Sequence, residues 1–441
     1  MARVAIVGAG SLVFTRTLVS DLLQQDATAD VEIALIDTDP GRLASAHRMA
    51  ERMVAEAGKA RVVATTDCRA GVRGASYVVN TIQVGGKEAT LADFDIPERY
   101  GVHQTIADTH GIGGIARAVR TIPHVLEIAQ VVEEVAPEAW FLNYTNPMAM
   151  IVMALARRTG LRHVGLCHDA ENTVTDIASY LNINREALAW HAAGINHMTW
   201  FLGISSHGKD LYPDLRALAD QPDVYRTDPV RFELLRRFGY FVSESSVHNA
   251  EYYPWFLRDG WAAQYPAVRL REYVYRLDDL HAGFEDLQRK LDGPHESAFI
   301  LPRSREYAPG IIGAIESNTT FSFMGNVSNS PDFIPALPAG CCVEVPSFID
   351  RGALHSAVVS DFPPGCAALS RLAVNVQILA VEGILQKNRD LLYQAAFVDP
   401  RLSSILGLAD IARLTDDVLE AQEKYLPPSW KPGSRRLFPA G

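Results

Sequence analysis

The sequence contains few cysteines and no concentration of positive charge. Its five cysteines are an odd number in 441 residues, which does not suit a disulfide framework and favours reduced thiols in a cytoplasm. The net charge is −11 and no block of lysine and arginine stands out, so neither nucleic acid nor an acidic membrane is an expected partner.

Long apolar runs and targeting signals are also lacking. No stretch approaches the roughly 18 apolar residues that cross a membrane, and the N-terminus lacks the basic region and cleavage pattern of a signal peptide. We therefore expect a cytoplasmic protein without a membrane partner. The length predicts two closely packed domains.

The first part of the chain alternates strands with helices. The run "RVAIVGAGS" predicts a strand that ends in a glycine turn, a helical pattern follows, and "VEIALID" begins the next strand and helix. Such units predict an α/β fold with a doubly wound, Rossmann-like parallel sheet. The alternation weakens near residue 195, so we predict a Rossmann-like domain over 1–195 and a mixed α+β domain over 196–441. The latter includes a long helix from Ala367 to about Val398.

The glycine turn "VGAGSLV" predicts a nucleotide site. Gly8, Gly10 and Ser11 lie where a strand turns into a helix, so the main chain can approach a pyrophosphate at the helix N-terminus. Asp37 ends the second strand, where dinucleotide-binding folds have an acid that binds the ribose hydroxyls. The third glycine of the usual fingerprint falls at Val13, and a tight turn that binds nothing is the alternative. An acid at Asp37 favours NAD over NADP, because a carboxylate repels a 2′-phosphate.

A cysteine and a histidine raise the question of a metal. Cys167 in "VGLCHDA" and His197 in "GINHMTW" could each be packed in a core. However, ligands of doubly wound sheets bind at the carboxyl ends of strands, and Cys167 follows such an end. Asn143 and Asn146 in "NYTNPM" also follow a strand, and Asp108 lies in the glycine-rich loop "TIADTHGIGGI". These polar groups predict a common site.

Further motifs follow one another along the chain and can be compared with those of known families. They are "NYTNPMAM", "GLCH", "AGINHMTW", "ESSVHNAEYYPWF", "PRSREY", "GNV", "LPAGCCVEV" and "NRD". Together with the glycine turn they cover nearly the whole chain, which resembles glycoside hydrolase family 4, the NAD- and metal-dependent glycosidases. Within that family the chain is most similar to the α-galactosidase branch. The resemblance implies a fold shared with lactate and malate dehydrogenases.

The resemblance also implies a redox route to hydrolysis and a set of site residues. NAD oxidises C3 of the sugar, a base removes the C2 proton, the aglycone leaves by elimination, water adds and the hydride returns. Cys167 and His197 would hold the divalent metal, and His168 would protonate the leaving oxygen. Tyr252 is preferred over Tyr253 as the C2 base. The remaining implied contacts with sugar or nicotinamide are Asp108, Asn143, Asn146 and Arg305; for Arg305 a surface salt bridge is the alternative.

Two points concern the metal and the sugar. Relatives use manganese, whereas a thiolate and an imidazole by themselves favour zinc, iron or cobalt. Asp169, which the resemblance implies as a substrate contact, stands where α-galactosidases most often have serine. This departure leaves α-glucosides open and, less readily, α-uronides, because a carboxylate would repel an anionic sugar. His168 argues for an unphosphorylated glycoside. The family resemblance further implies a homodimer or homotetramer.

Two other function classes compete with the glycosidase. An NAD-dependent dehydrogenase of the lactate and malate type would share the fold, but it leaves "GLCH" and "GINH" unexplained. A non-enzymatic NAD-binding regulator would be expected to lose the metal pair, and it lacks a basic face for DNA.

Overall fold

The computed structural model describes residues 2–58, 60–258, 260–293, 299–330 and 332–430. The end of the predicted second domain, residues 431–441, lies outside the described residues. The strands of the first half are β1 (Arg3–Val7), β2 (Glu32–Ile36), β3 (Arg61–Thr65), β4 (Tyr77–Asn80), β5 (Trp140–Asn143) and β6 (Arg162–Leu166). Its helices are α1 (Leu12–Leu23), α2 (Pro40–Ala57), α3 (Cys68–Val72), α4 (Gly86–Glu98), α5 (Gly111–Val135), α6 (Met148–Arg158) and α7 (Asp169–Leu181).

These six strands form the predicted parallel sheet, in the order β6-β5-β4-β1-β2-β3. The strand order reverses direction at β1, so a crevice opens between the ends of β1 and β4, where doubly wound sheets bind ligands. Strands β2, β4 and β5 are buried at every position, as expected for parallel strands that are covered on both faces. The predicted α/β fold class is confirmed.

The second half of the chain adds antiparallel strands to the same sheet. They are β7 (Leu188–Ile195), β8 (Met198–Ser206), β9 (Lys209–Asp210), β10 (Phe241–Val242), β11 (Phe321–Ser328), β12 (Cys342–Ile349) and β13 (Leu354–Ser356). Strand β11 pairs with β6, where Gly325 lies opposite Leu166, and the order continues β12-β7-β8-β10. The division into 1–195 and 196–441 stays a prediction, but strands from both parts share one sheet.

The helices of the second half surround these added strands. They are α8 (Tyr212–Leu218), α9 (Pro222–Thr227), α10 (Pro229–Phe238), α11 (Ser246–Tyr252), α12 (Trp261–Gln264), α13 (Glu272–Asp292), α14 (Tyr307–Ser317), α15 (Pro364–Leu385), α16 (Arg389–Phe397), α17 (Pro400–Ile405) and α18 (Leu408–Gln422). The expected single helix over 367–398 is wrong. Lys387 has a φ of +53°, and the Asn388 side chain accepts a hydrogen bond from the Asp390 N–H, so one helix ends and another begins.

Helix α15 also corrects the expectation that no apolar stretch is long enough to cross a membrane. Its 22 residues meet that criterion by length and composition, and 56% of its apolar window is buried inside the protein. It packs against α5, α6 and α16. A long core helix of a folded protein meets the same criterion.

Candidate active site

The glycine turn after β1 brings the main chain close to its neighbours. Gly8 has a φ of +93°, and a Cβ added there would lie 2.8 Å from the carbonyl carbon of Thr81. A Cβ at Gly10 would lie 2.6 Å from Oδ2 of Asp37, and the Gly10 N–H donates to that oxygen at 2.7 Å. Ser11 directly precedes α1. A bare turn, a helix N-terminus and a half-buried carboxylate fit the phosphates and ribose of a dinucleotide.

One helix crosses this edge of the sheet and was not predicted as part of the nucleotide site. Helix α13 approaches the first turns of α1 and α2: a Cβ at Gly283 would lie 3.3 Å from Val13, and the Arg42 guanidinium lies 4.7 Å from the ring centre of Phe284. Arg42 also donates to the Gly10 carbonyl at 3.0 Å. The helix therefore lies next to the residues that flank the glycine turn, and no nearby sequence motif reveals it.

The two predicted metal ligands lie together. Sγ of Cys167 is 3.4 Å from Nε2 of His197. The structure adds a third group that the sequence analysis missed, because Oε1 of Glu244 lies 3.5 Å from the same nitrogen. One donor atom from each of the three residues falls within 4.8 Å of the others. A thiolate, an imidazole and a carboxylate form a donor set suited to a divalent cation.

Two of these three residues have unusual backbone conformations. His197 lies in the two-residue turn between β7 and β8 with a φ of +63°, and Glu244 follows β10 with a φ of +64°. Left-handed backbone is uncommon for residues other than glycine and concentrates at functional sites. The Glu244 carboxylate is further held by His248, whose Nδ1 lies 3.1 Å from Oε2.

The charge around Cys167 is predominantly negative. Burial raises the pKa of the Cys167 thiol well above its usual range, and the charges of Asp169, Glu344 and Glu244 raise it further. Glu344 is completely buried and accepts hydrogen bonds from Thr199 at 2.6 Å and Asn326 at 2.9 Å. A bound cation would offset this charge and stabilise the thiolate, so the residues present fit a metal.

Nδ1 of His197, the ring nitrogen that does not face Cys167, has two hydroxyl groups within hydrogen-bond distance. Oγ1 of Thr109 lies 3.0 Å from Nδ1, and the Tyr252 hydroxyl lies 3.1 Å from it. Such contacts fix the orientation of a metal-binding imidazole. Burial raises the pKa of Tyr252 well above its usual range. Tyr253 instead stacks on Trp255, with the rings 5.8 Å apart, so Tyr252 is the tyrosine of this site.

Asp108 and Asn146 come together as predicted. The Asn146 amide donates to Oδ2 of Asp108 at 3.1 Å, and Thr109 donates to Oδ1 at 2.7 Å. Burial acts to raise the pKa of Asp108, but the Arg117 guanidinium, 3.8 Å away, together with His197, His248 and the hydrogen bond from Thr109, lowers the pKa overall. Asp108 therefore remains an anion that links the loop before α5 to the metal pocket through Thr109.

His168 lies at the mouth of the pocket. Its side chain is 49% exposed, and Nδ1 lies 3.2 Å from Oε1 of Glu306. This contact with Glu306 raises the pKa of His168 to about 9 against the opposing effect of burial. A half-exposed imidazole that keeps its proton at neutral pH can act as a general acid.

Three predicted contact residues occupy other positions. Asn143 is completely buried, and its amide binds Asn80 and Thr145, so it supports the turn beneath the site and offers no surface to a sugar. Asp169 is also completely buried and accepts a hydrogen bond from Ser243 at 2.8 Å. Arg305 is exposed and donates to Thr175 at 2.9 Å.

Comparison with known proteins relates this geometry to a family. The family 4 glycosyl hydrolase model matches residues 3–183, and the model of the family's C-terminal domain matches residues 192–402. The chain belongs to family 4 of the glycosyl hydrolases. The predicted family is confirmed, and the protein is a glycosidase.

Individual relatives cover almost the entire chain. An α-galactosidase of Bacillus subtilis (strain 168) is 38% identical over 97% of this chain and 99% of its own length. An α-glucosidase of Erwinia rhapontici is 30% identical over 96% of this chain and 98% of its own length. The structure of a 6-phospho-α-glucosidase from gut microorganisms, in complex with NAD and Mn²⁺, matches with a TM-score of 0.81 at 19% identity, over 97% of this chain and 99% of that one. At that identity the match shows the fold.

Proposed function

We propose that this member of family 4 hydrolyses unphosphorylated α-glycosides, with α-galactosides as the first candidate substrates and α-glucosides as the second. The α-galactosidase relative has the higher identity of the two relatives described above. The route is oxidation at C3, loss of the C2 proton, elimination of the aglycone, addition of water and reduction at C3. The observation that carries the proposal is the convergence of Cys167, His197 and Glu244 in a chain whose sheet also carries the dinucleotide turn after β1.

The proposed cofactors are NAD and a divalent metal, with manganese preferred. When bound, NAD supplies a reversible hydride acceptor for C3, and the metal supplies a Lewis acid for the sugar oxygens. Gly8, Gly10 and Asp37 would hold NAD. Glu244 also accounts for manganese in the presence of a thiolate, because a carboxylate oxygen is the kind of ligand that manganese favours.

The residues of the chain then act on protons. We propose that Tyr252 takes the C2 proton and that His168 delivers one to the leaving oxygen. Burial raises the pKa of Tyr252, so its action as a base requires positive charge nearby. Its contact with Nδ1 of His197 gives it a second possible role, the orientation of that ligand.

The experiment follows two products at once. The protein is stripped with chelator and reductant, and nitrophenyl α-galactoside and α-glucoside are supplied with Mn²⁺ and NAD, singly and together. Nitrophenol release that needs both additions and leaves no NADH supports the proposal and ranks the two sugars. Steady NADH production would instead support the dehydrogenase, and release without either addition would contradict the redox route.

A cytoplasmic location and a homodimer or homotetramer stay predictions. Sedimentation of the purified chain measures the latter.

A further inference from the structure

A groove lies beside His168 that the proposed mechanism does not use. Its volume is about 240 Å³, and Glu171, Arg185, Arg303, Arg305, Glu306 and Tyr307 are among its lining residues. Glu306 belongs to the groove and also contacts Nδ1 of His168 at 3.2 Å. The groove is therefore connected through Glu306 to the residue that we propose as the acid for the leaving oxygen.

The acids of this groove already have partners. Glu171 pairs with Arg185, Asp21 accepts from the Ser304 N–H at 2.8 Å, and Glu306 contacts His168. The charge of Glu171 is thus offset by Arg185, and the carboxylates of Asp21 and Glu306 are engaged by Ser304 and His168.

Two arginines remain without an offsetting acid. Among the described residues, neither Arg303 nor Arg305 has a carboxylate within ion-pair distance, and Arg305 makes its hydrogen bond to the neutral Thr175 hydroxyl. Phe321 also lines the groove, and its ring lies 6.4 Å from that of Tyr307. The groove thus offers aromatic surface together with two guanidinium groups, a combination suited to a ring that carries an anion.

We propose that this groove is the leaving-group subsite and that it favours an aglycone bearing a carboxylate. The inference rests on the proposed function, because His168 defines which side of the scissile bond the groove faces. Arg303 and Arg305 would bind the carboxylate, while the aromatic residues would contact the ring. An aglycone anion on this side differs from a sugar carboxylate, which would meet the acids around Cys167.

The test compares two aglycones that differ in charge but not in shape. The substrates are 4-carboxyphenyl and 4-carbamoylphenyl glycosides of the preferred sugar. We expect kcat/KM to favour the carboxylate about tenfold in the wild type. The double substitution Arg303→Gln with Arg305→Gln should remove the preference, by lowering kcat/KM for the carboxylate substrate to that for the carbamoyl substrate. Arg289→Gln, an exposed arginine on α13, is the matched control and should keep the preference.

A direct measurement of binding tests the inference without requiring turnover. Calorimetry of 4-hydroxybenzoate and 4-hydroxybenzamide should show tighter binding of the acid, lost in the double variant. Equal cleavage of both glycosides by an active enzyme would overturn the subsite and leave the glycosidase intact. If neither glycoside is cleaved, the proposed function fails, and equal binding of the two free phenols would then reject the groove as well.

Discussion

The nucleotide turn and the metal pocket belong to the same sheet but are built in opposite ways. The turn uses main chain, the absence of side chains at Gly8 and Gly10, and one half-buried acid. The pocket uses a thiol, an imidazole and a carboxylate from three separate segments, two of them on left-handed backbone. Main-chain shape dominates the first site and side-chain ligands the second, and the two sites share no residue. A substitution at one should therefore leave ligand binding at the other unchanged.

The largest expected effect is at the metal pocket. Cys167→Ser or His197→Ala should lower kcat by about a thousandfold or more, because losing even a supporting partner of a metal ligand costs about 10- to 100-fold. Titration calorimetry should show Mn²⁺ binding lost while the Kd for NAD changes less than about twofold. A large loss of NAD affinity would contradict the separation of the two sites.

Removal of the Tyr252 hydroxyl distinguishes its two roles. Tyr252→Phe should lower kcat by about 100- to 10,000-fold if the tyrosine is a general base, and solvent deuterium should no longer enter C2 of the recovered substrate. The Kd for Mn²⁺ should change only slightly. Persistent deuterium exchange with a weakened metal site would instead leave Tyr252 as an orienting residue.

The carboxylate of Glu244 should determine which metal the pocket prefers. Glu244→Gln should weaken Mn²⁺ binding about 10- to 100-fold and Zn²⁺ binding less, because zinc is well served by the thiolate and imidazole. Calorimetry and the electron paramagnetic resonance of Mn²⁺ measure this difference. Glu186→Gln, whose side chain is 75% exposed, is the control. Parallel losses for both metals would argue against a selective role.

At the nucleotide turn, the addition of a single methyl group should be sufficient to weaken NAD binding. Gly10→Ala places a Cβ against Asp37 and Arg42, so the Kd for NAD should rise more than tenfold while Mn²⁺ affinity is retained. Fluorescence titration of NADH measures it. Gly203→Ala has open space around the added Cβ and should bind NAD normally.

The smallest effect is expected at Asp37. Asp37→Ala removes the hydrogen-bonding acid for the ribose, at a cost of about 1.5 kcal/mol or roughly tenfold in Kd. Mn²⁺ binding should be unaffected. Unchanged NAD affinity would remove Asp37 from the ribose site.

The difference between the two sites also decides how much the sequence reveals. Gly8, Gly10 and Asp37 were predictable because a strand, a turn and a helix follow one another within one short stretch. Glu244 was not, since it reaches His197 only after the β7–β8 turn and β10 have been placed. The residues that follow Glu244 in the sequence indicate only the start of α11.

Polar residues near strand ends gave mixed predictions for a related reason. Asn146 and Cys167 lie beyond the strands and reach the site. Asn143 is still the last residue of β5, a strand that is buried at every position, so its side chain is enclosed in the protein. Asp169 lies at the first position of α7 and binds Ser243 beneath the pocket. A shift of one or two residues along the chain thus decides whether a polar side chain reaches the site or lies beneath it.

The pairing of β11 with β6 determines how the chain can be divided. A fragment ending near residue 195 would keep the nucleotide turn but lose β11, and β6 would become an uncovered edge with free main-chain hydrogen-bonding groups. Such edges promote association between molecules. The boundary between the two sequence motifs is therefore a poor place to separate them, and the two halves should unfold together in one cooperative transition.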